Sequence, residues 1–152
     1  TLVMIDLDHF KQVNDRFGHA EGDRVLQTVA ATLKAAAREN DIVARHGGEE
    51  FVVAALGLNE AESLVAAERL RAAVAAIDNM KTRITASIGI ATLAPQAQKH
   101  ETRRLLAELL DQADQALYAA KNNGRNQVLH FNGLASLTIS ANSQTKPPNV
   151  AP

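Results

Sequence analysis

The sequence predicts an α/β (α+β) domain of ferredoxin-like layout, a mainly antiparallel sheet with helices around it. Three observations carry this. Apolar, strand-like segments recur at 1–8, 41–56 and 82–93. Long segments of 3.6-residue apolar period lie between and after them. Their order, strand–helix–strand–strand–helix–strand with a further helix and strand, is that of a split βαβ unit. Such a layout hosts many functions and assigns none.

The elements follow in order. TLVMIDLD (1–8) is predicted as a central strand. HFKQVNDRFGHAEG (9–22) reads as a short helical turn and a glycine-containing loop. Residues 22–39 read as a helix, with Val25, Val29, Leu33 and Ala36 on one face. DIVARH and EEFVVAAL flank Gly47-Gly48 as hairpin strands, because glycines at a two-residue turn take positive φ without a Cβ clash. Residues 59–78 form a second helix, capped by Asn59 with Glu62 at the capping-box position. Its apolar face is Leu64, Ala67, Leu70, Val74 and Ile77. In 82–93, Ile84, Ala86, Ile88 and Ile90 alternate with strand period. Residues 102–124 are a third long helix with an Asn-Asn-Gly stop, and 126–131 a last strand. From Asn132 the chain turns small, polar and proline-ended, so 1–131 is expected to be the domain and 132–152 a disordered tail.

Composition narrows the chemistry. The 152 residues are 46% hydrophobic and 22% charged, with a net charge of −1. No global field draws such a chain to nucleic acid or an anionic membrane. With no cysteine, thiolate metal sites and disulfides are excluded, which leaves carboxylates as ligands for a hard cation. No apolar run reaches the ~20 residues needed to span a bilayer, and no signal peptide is visible. The chain opens directly on a strand, which suggests a piece of something longer.

Three clusters could meet in one site. Asp6 and Asp8 share one side of the first strand at its C-terminal end. Glu49 and Glu50 stand beside the Gly-Gly turn. Lys121 and Arg125 bracket the end of the third long helix, where cations also complement the helix dipole. Acids for metal, bases for phosphate and glycines for close backbone approach together make a nucleotide site.

The stretches DLDHFKQVNDRFGHAEGD, RHGGEEF and ADQALYAAKNNGRN, in this order and spacing, closely resemble the GGDEF family of diguanylate cyclases. The resemblance covers about residues 1–131. It implies a five-stranded sheet related to the nucleotidyl-cyclase palm, and condensation of two GTP to cyclic di-GMP with loss of two pyrophosphates. By resemblance, Asp6, the Leu7 carbonyl, Glu49 and Glu50 hold Mg²⁺ (or Mn²⁺). Glu49 also helps deprotonate the attacking hydroxyl, and Glu50 is ligand or orienter. Gly47 and Gly48 approach the nucleotide, while Lys11, Lys121 and Arg125 contact phosphate. Asn14 and Asp23 match the guanine readers. A carboxylate accepts from guanine N1–H and its exocyclic amine together, whereas adenine would leave Asp23 unpaired. Arg38-x-x-Asp41, five residues before Gly47, matches the inhibitory product site, with Arg69 contributed by a neighbouring subunit.

His46 stands where the family usually has an aromatic residue, and is expected to be a packing substitution. The family's usual opening segment with D-x-L-T-G-L-x-N-R is not found. The resemblance further implies a homodimer for catalysis, an upstream sensor domain and a cytoplasmic location, including as the cytoplasmic end of a membrane-anchored protein. A catalytically silent module that binds GTP or cyclic di-GMP is the alternative. The acidic turn, Asp6, Lys121 and Arg125 are all present, which favours the enzyme.

Overall fold

The computed structural model describes residues 1–93 and 102–135. It contains the strands β1 (Leu2–Leu7), β2 (Ile42–Gly47), β3 (Glu50–Ala54), β4 (Ala86–Ala91) and β5 (Val128–His130). The helices are α1 (Phe10–Phe17), α2 (His19–Ala36), α3 (Glu60–Ala75) and α4 (Thr102–Asn122). The strands form one sheet in the order β2-β3-β1-β4-β5, antiparallel except for the β4–β5 pair. The predicted α+β class and mainly antiparallel five-stranded sheet are observed.

Local sequence explains most element ends. Gly18 (φ 83°) breaks α1 from α2, so α2 begins at His19, three residues earlier than predicted. At the start of α3, Asn59 accepts from the Glu62 amide and Glu62 from the Asn59 amide, a complete capping box. The last strand is shorter than predicted, and a 3-10 turn, Phe131–Gly133, follows it. The expected tail therefore starts inside a turn, where Asn132 Nδ2 donates to Glu60 at 2.8 Å. Residues 136–152 of that tail lie outside the described residues.

Alternation along β1 divides the core. Val3, Ile5 and Leu7 face α2 and α3, with Val25, Val29, Leu33, Ala67, Leu70 and Val74. Leu2 and Met4 face α4, with Ala113 and Leu117. Both faces are covered, so every residue of β1 and β4 is buried.

The approach of α4 depends on Gly89. A Cβ there would meet Ala113 O, Leu117 N and Leu117 Cα, all backbone atoms. Small residues on the helix, Ala113, Ala116 and Ala120, complete the close contact. Gly89 pairs with Met4 in the β1–β4 register. Two residues further along β1 is Asp6, about 7 Å away. One turn beyond Leu117 is Lys121, about 6 Å away. The two advances match, and Lys121 arrives over Asp6.

Candidate active site

Asp6 lies on the α4 face of β1, 8% exposed, and Lys121 Nζ is 2.7 Å from its Oδ2. In the antiparallel register Asp6 stands opposite Glu50 of β3, so the two carboxylates share a face. Glu49 sits in the turn, and its carbonyl accepts the Leu7 amide at 3.4 Å. Burial raises the Asp6 pKa above its ordinary value; Lys121 opposes this, and the charges of Glu49 and Glu50 add to it. The carboxylate is thus held in a partly desolvated place, paired with Lys121 and with two further carboxylates near it.

These groups converge. A recess of about 430 Å³ is lined by Asp6, Leu7, Asp8, Lys11, Glu49, Lys121 and Arg125, together with Asp15 and Gln12, which the sequence did not single out. It lies at the C-terminal end of β1. The acidic strand end, the acidic turn and the basic helix end, far apart in sequence, therefore face one space.

The hairpin turn differs from the predicted Gly-Gly pair. Gly47 belongs to β2 and pairs with Glu50, so the two-residue turn is Gly48-Glu49, with Gly48 at φ 47°. Arg45 pairs with Phe51 and Gly47 with Glu50, which leaves His46 as the extra residue of a bulge. His46 is exposed there, so it is not the packing substitution expected. The Arg45 guanidinium donates to the Gly48 carbonyl from Nε (2.9 Å) and Nη2 (2.7 Å), bracing the turn. The sequence carried no signal for that role beyond a nearby arginine.

Asn14 packs against Gly22, the residue before Asp23. A Cβ on Gly22 would run into Asn14 Oδ1, with Phe10 Cζ 3.2 Å away, so α1 and α2 touch at this glycine. Asp23, the next residue, borders a separate recess of about 320 Å³ between α2 and the β2–β3 hairpin, with Leu26, Ala30, Val43, Arg45 and Phe51.

Arg38 and Asp41 close a turn on themselves. The Arg38 carbonyl accepts the Asp41 amide at 3.0 Å, and Asp41 Oδ2 accepts the Arg38 amide at 2.9 Å. Arg69 Nε donates to the Ala36 carbonyl at 2.9 Å, at the end of α2 two residues before Arg38. The Arg38 residue is exposed.

Among the described residues no group of three His, Cys, Asp or Glu side chains is arranged as a closed metal cage. The donors nonetheless fit a hard cation. Carboxylates and a carbonyl suit Mg²⁺, which commonly takes one or two carboxylates and completes its shell with water and substrate phosphate.

Fold and site together define an α+β domain with a recess lined by carboxylates and cationic side chains at the C-terminal end of its central strand. The family model for "Diguanylate cyclase, GGDEF domain" matches residues 1–127, and the chain belongs to that family. It is 43% identical over 130 residues to diguanylate cyclase DgcM of Escherichia coli (strain K12), covering 85% of this chain and 30% of that protein. To diguanylate cyclase A of Treponema denticola it is 38% identical over 132 residues, covering 84% and 34%. The chain thus spans about a third of these curated relatives. Among solved structures, the active GGEEF domain of a diguanylate cyclase from Vibrio cholerae matches with TM-score 0.75 and 30% identity, over 86% of this chain and 81% of that one. The GGDEF domain of DgcB from Caulobacter crescentus, solved in complex with c-di-GMP, matches with TM-score 0.74 and 32% identity, over 86% and 77%. Among the described residues no helix is long and apolar enough to cross a membrane.

Proposed function

We propose that this domain condenses two GTP molecules to cyclic di-GMP, releasing two pyrophosphates. One observation carries the reading: Asp6 and Glu49 share a recess with Lys11, Lys121 and Arg125, in a chain of the diguanylate cyclase family. Lys11 and Lys121 serve as point charges on the phosphates, and Arg125 as a bidentate fork. Phosphate binding draws Lys121 from Asp6 and frees that carboxylate. Asn14 and Asp23 read guanine, and Gly47 and Gly48 admit the nucleotide near the backbone. Glu49 takes the proton of the 3′-hydroxyl that attacks the other nucleotide's α-phosphorus, with Glu50 orienting it. Asp6, Glu49, Glu50 and the Leu7 carbonyl would hold Mg²⁺ (or Mn²⁺), which when bound stabilises negative charge on phosphate.

Each chain offers one guanine-reading pair and one phosphate clamp, whereas the product needs two. Two chains facing across a two-fold axis supply both halves, so the catalytic unit is a homodimer. Product binds at Arg38, Asp41 and Arg69 and slows the enzyme. The test is incubation with GTP and Mg²⁺, with product identified by mass, over a range of protein concentrations and with added cyclic di-GMP. Specific activity should rise with protein concentration. GTP that is bound but never converted would select the silent-module reading instead.

A further inference from the structure

We infer that Asp8 and Arg71 are positioning residues that fix the backbone carrying Arg125, so that its guanidinium is presented to the nucleotide phosphates. The inference rests on the reading of Arg125 as a phosphate ligand.

Asp8 looks like a second metal ligand, two residues after Asp6 on the same side of the strand. The structure gives it other work. It is 4% exposed, and both carboxylate oxygens are engaged. Oδ2 accepts the Thr85 hydroxyl at 2.6 Å and the Asn126 amide at 3.1 Å, and Oδ1 accepts the Ser87 hydroxyl at 2.7 Å. Asp8 thereby ties the end of β1 to β4 and to the loop between α4 and β5.

Asn126 is gripped from the other side as well. Arg71 of α3 donates from Nη1 to Asn126 Oδ1 at 2.6 Å. Arg71 is itself held by Glu68, whose carboxylate takes its Nε and Nη2 at 2.6–3.0 Å. Backbone and side chain of one residue are thus fixed by two elements that belong to neither α4 nor β5.

The backbone between shows why this grip is needed. Arg125 and Asn126 both have positive φ, 61° and 45°. For a residue with a Cβ this is an uncommon conformation, and two in succession persist only where surroundings hold them. With His9 (φ 59°), they are the only non-glycine residues of positive φ among the described residues. All three adjoin the recess: His9 and Arg125 line it, and Asn126 follows Arg125. The Arg125 amide is bonded to the Ala120 carbonyl at 3.1 Å, while its guanidinium makes no hydrogen bond or ion pair with a described residue. A free, exposed cationic head on a fixed backbone is the arrangement a phosphate fork requires.

The experiment compares Asp8→Ala, Asp8→Asn and Arg71→Met with wild type. The readouts are KM and kcat for GTP, binding of a fluorescent GTP analogue with Mg²⁺, the Mg²⁺ concentration for half-maximal rate, the thermal melt, and hydrogen exchange of the Asn126 amide without nucleotide. Asparagine keeps an acceptor for the Asn126 amide and Thr85, and its NH₂ can donate to Ser87. Asp8→Ala should raise KM about tenfold to a hundredfold, the scale of one lost hydrogen bond to a charged group. Asp8→Asn should return it to within about threefold, and the Mg²⁺ requirement should stay unchanged in both. Arg71→Met, at a half-buried position of α3 where methionine keeps most of the apolar stem, should raise KM with the protein still folded at the assay temperature, and decides the matter if Asp8→Ala does not fold. The Asn126 amide should be protected in wild type and exchange faster in Asp8→Ala or Arg71→Met.

An Asp8→Asn variant as impaired as Asp8→Ala, with a raised Mg²⁺ requirement, would make Asp8 a metal ligand and overturn the inference. Unchanged KM and exchange in Arg71→Met would overturn it too. A wild type with a protected Asn126 amide that fails to bind GTP would instead strike the functional reading and remove the phosphate role with it.

Discussion

Replacing Gly89 with alanine puts a methyl group where α4 has its backbone. The new Cβ would stand 2.7 Å from Leu117 Cα, and closer still to Leu117 N and Ala113 O. Ordinary van der Waals contact begins near 3.4 Å. The two closest contacts set the displacement, and the helix must retreat by about 1.3 Å, since none of the three atoms is the end of a flexible side chain. Overpacking of this kind costs about 1–3 kcal/mol, or a melting temperature about 5–10 °C lower in a domain of this size. The retreat also acts on the site. Lys121, one turn beyond Leu117, now stands 2.7 Å from Asp6. A displacement of that size takes that pair beyond hydrogen-bonding range and shifts the phosphate clamp with it. Turnover of GTP should fall at least about tenfold at a temperature where the variant is folded, because misplacement by about 1 Å can cost a hundredfold. The assay is steady-state pyrophosphate release beside a circular-dichroism melt, with Gly133→Ala as control, since a Cβ at Gly133 meets nothing within 4 Å. A Gly89→Ala protein with wild-type melt and turnover would refute the account of how α4 delivers Lys121.

Gly22→Ala should act differently, because the new Cβ meets the mobile end of Asn14 rather than backbone. KM for GTP should rise about tenfold with a loss of no more than about 1 kcal/mol in stability, checked by GTP titration and a denaturant melt. Asp6→Asn and Glu49→Gln should each lower turnover by about a hundredfold or more with the melt nearly unchanged; wild-type rates in either would remove that residue from the chemistry. His130 predicts a pH effect. It is buried, its Nδ1 accepts the Asn132 amide at 3.2 Å, and burial, only partly opposed by Glu60, lowers its pKa below the ordinary 6.5. The unfolded chain then takes up a proton that the folded chain resists, so stability is full above pH 6.5 and is lost as pH falls from there through the folded value. Melting temperature should drop over that interval in wild type and drop less in His130→Gln; equal slopes would count against the histidine.

Periodicity and local chemistry decide what can be read without coordinates. Valines and leucines at helical spacing, the Asn59–Glu62 capping box and the alternation around Asp6 are properties of neighbouring residues, so the elements and the acidic strand end were legible in the sequence. The family motifs brought the candidate residues into register in the same way. Tertiary structure decided the rest. Asp6 and Asp8 carry the same local signature and both line the recess, yet Asp6 pairs with Lys121 while both carboxylate oxygens of Asp8 are taken by Thr85, Ser87 and Asn126, partners 77, 79 and 118 residues away. Gly22 stands at the predicted loop–helix boundary but is a helix–helix contact, and Gly89, with no local signal in its strand, sets the height of α4 over the sheet. The hairpin shifted by one residue because a bulge at His46 answers to pairing with β3, not to the preference of two glycines for a turn. In each case the deciding atom lies across the sheet or on another helix. A one-dimensional pattern records which side of its own element a residue occupies, and what waits on that side is fixed only when distant segments pack.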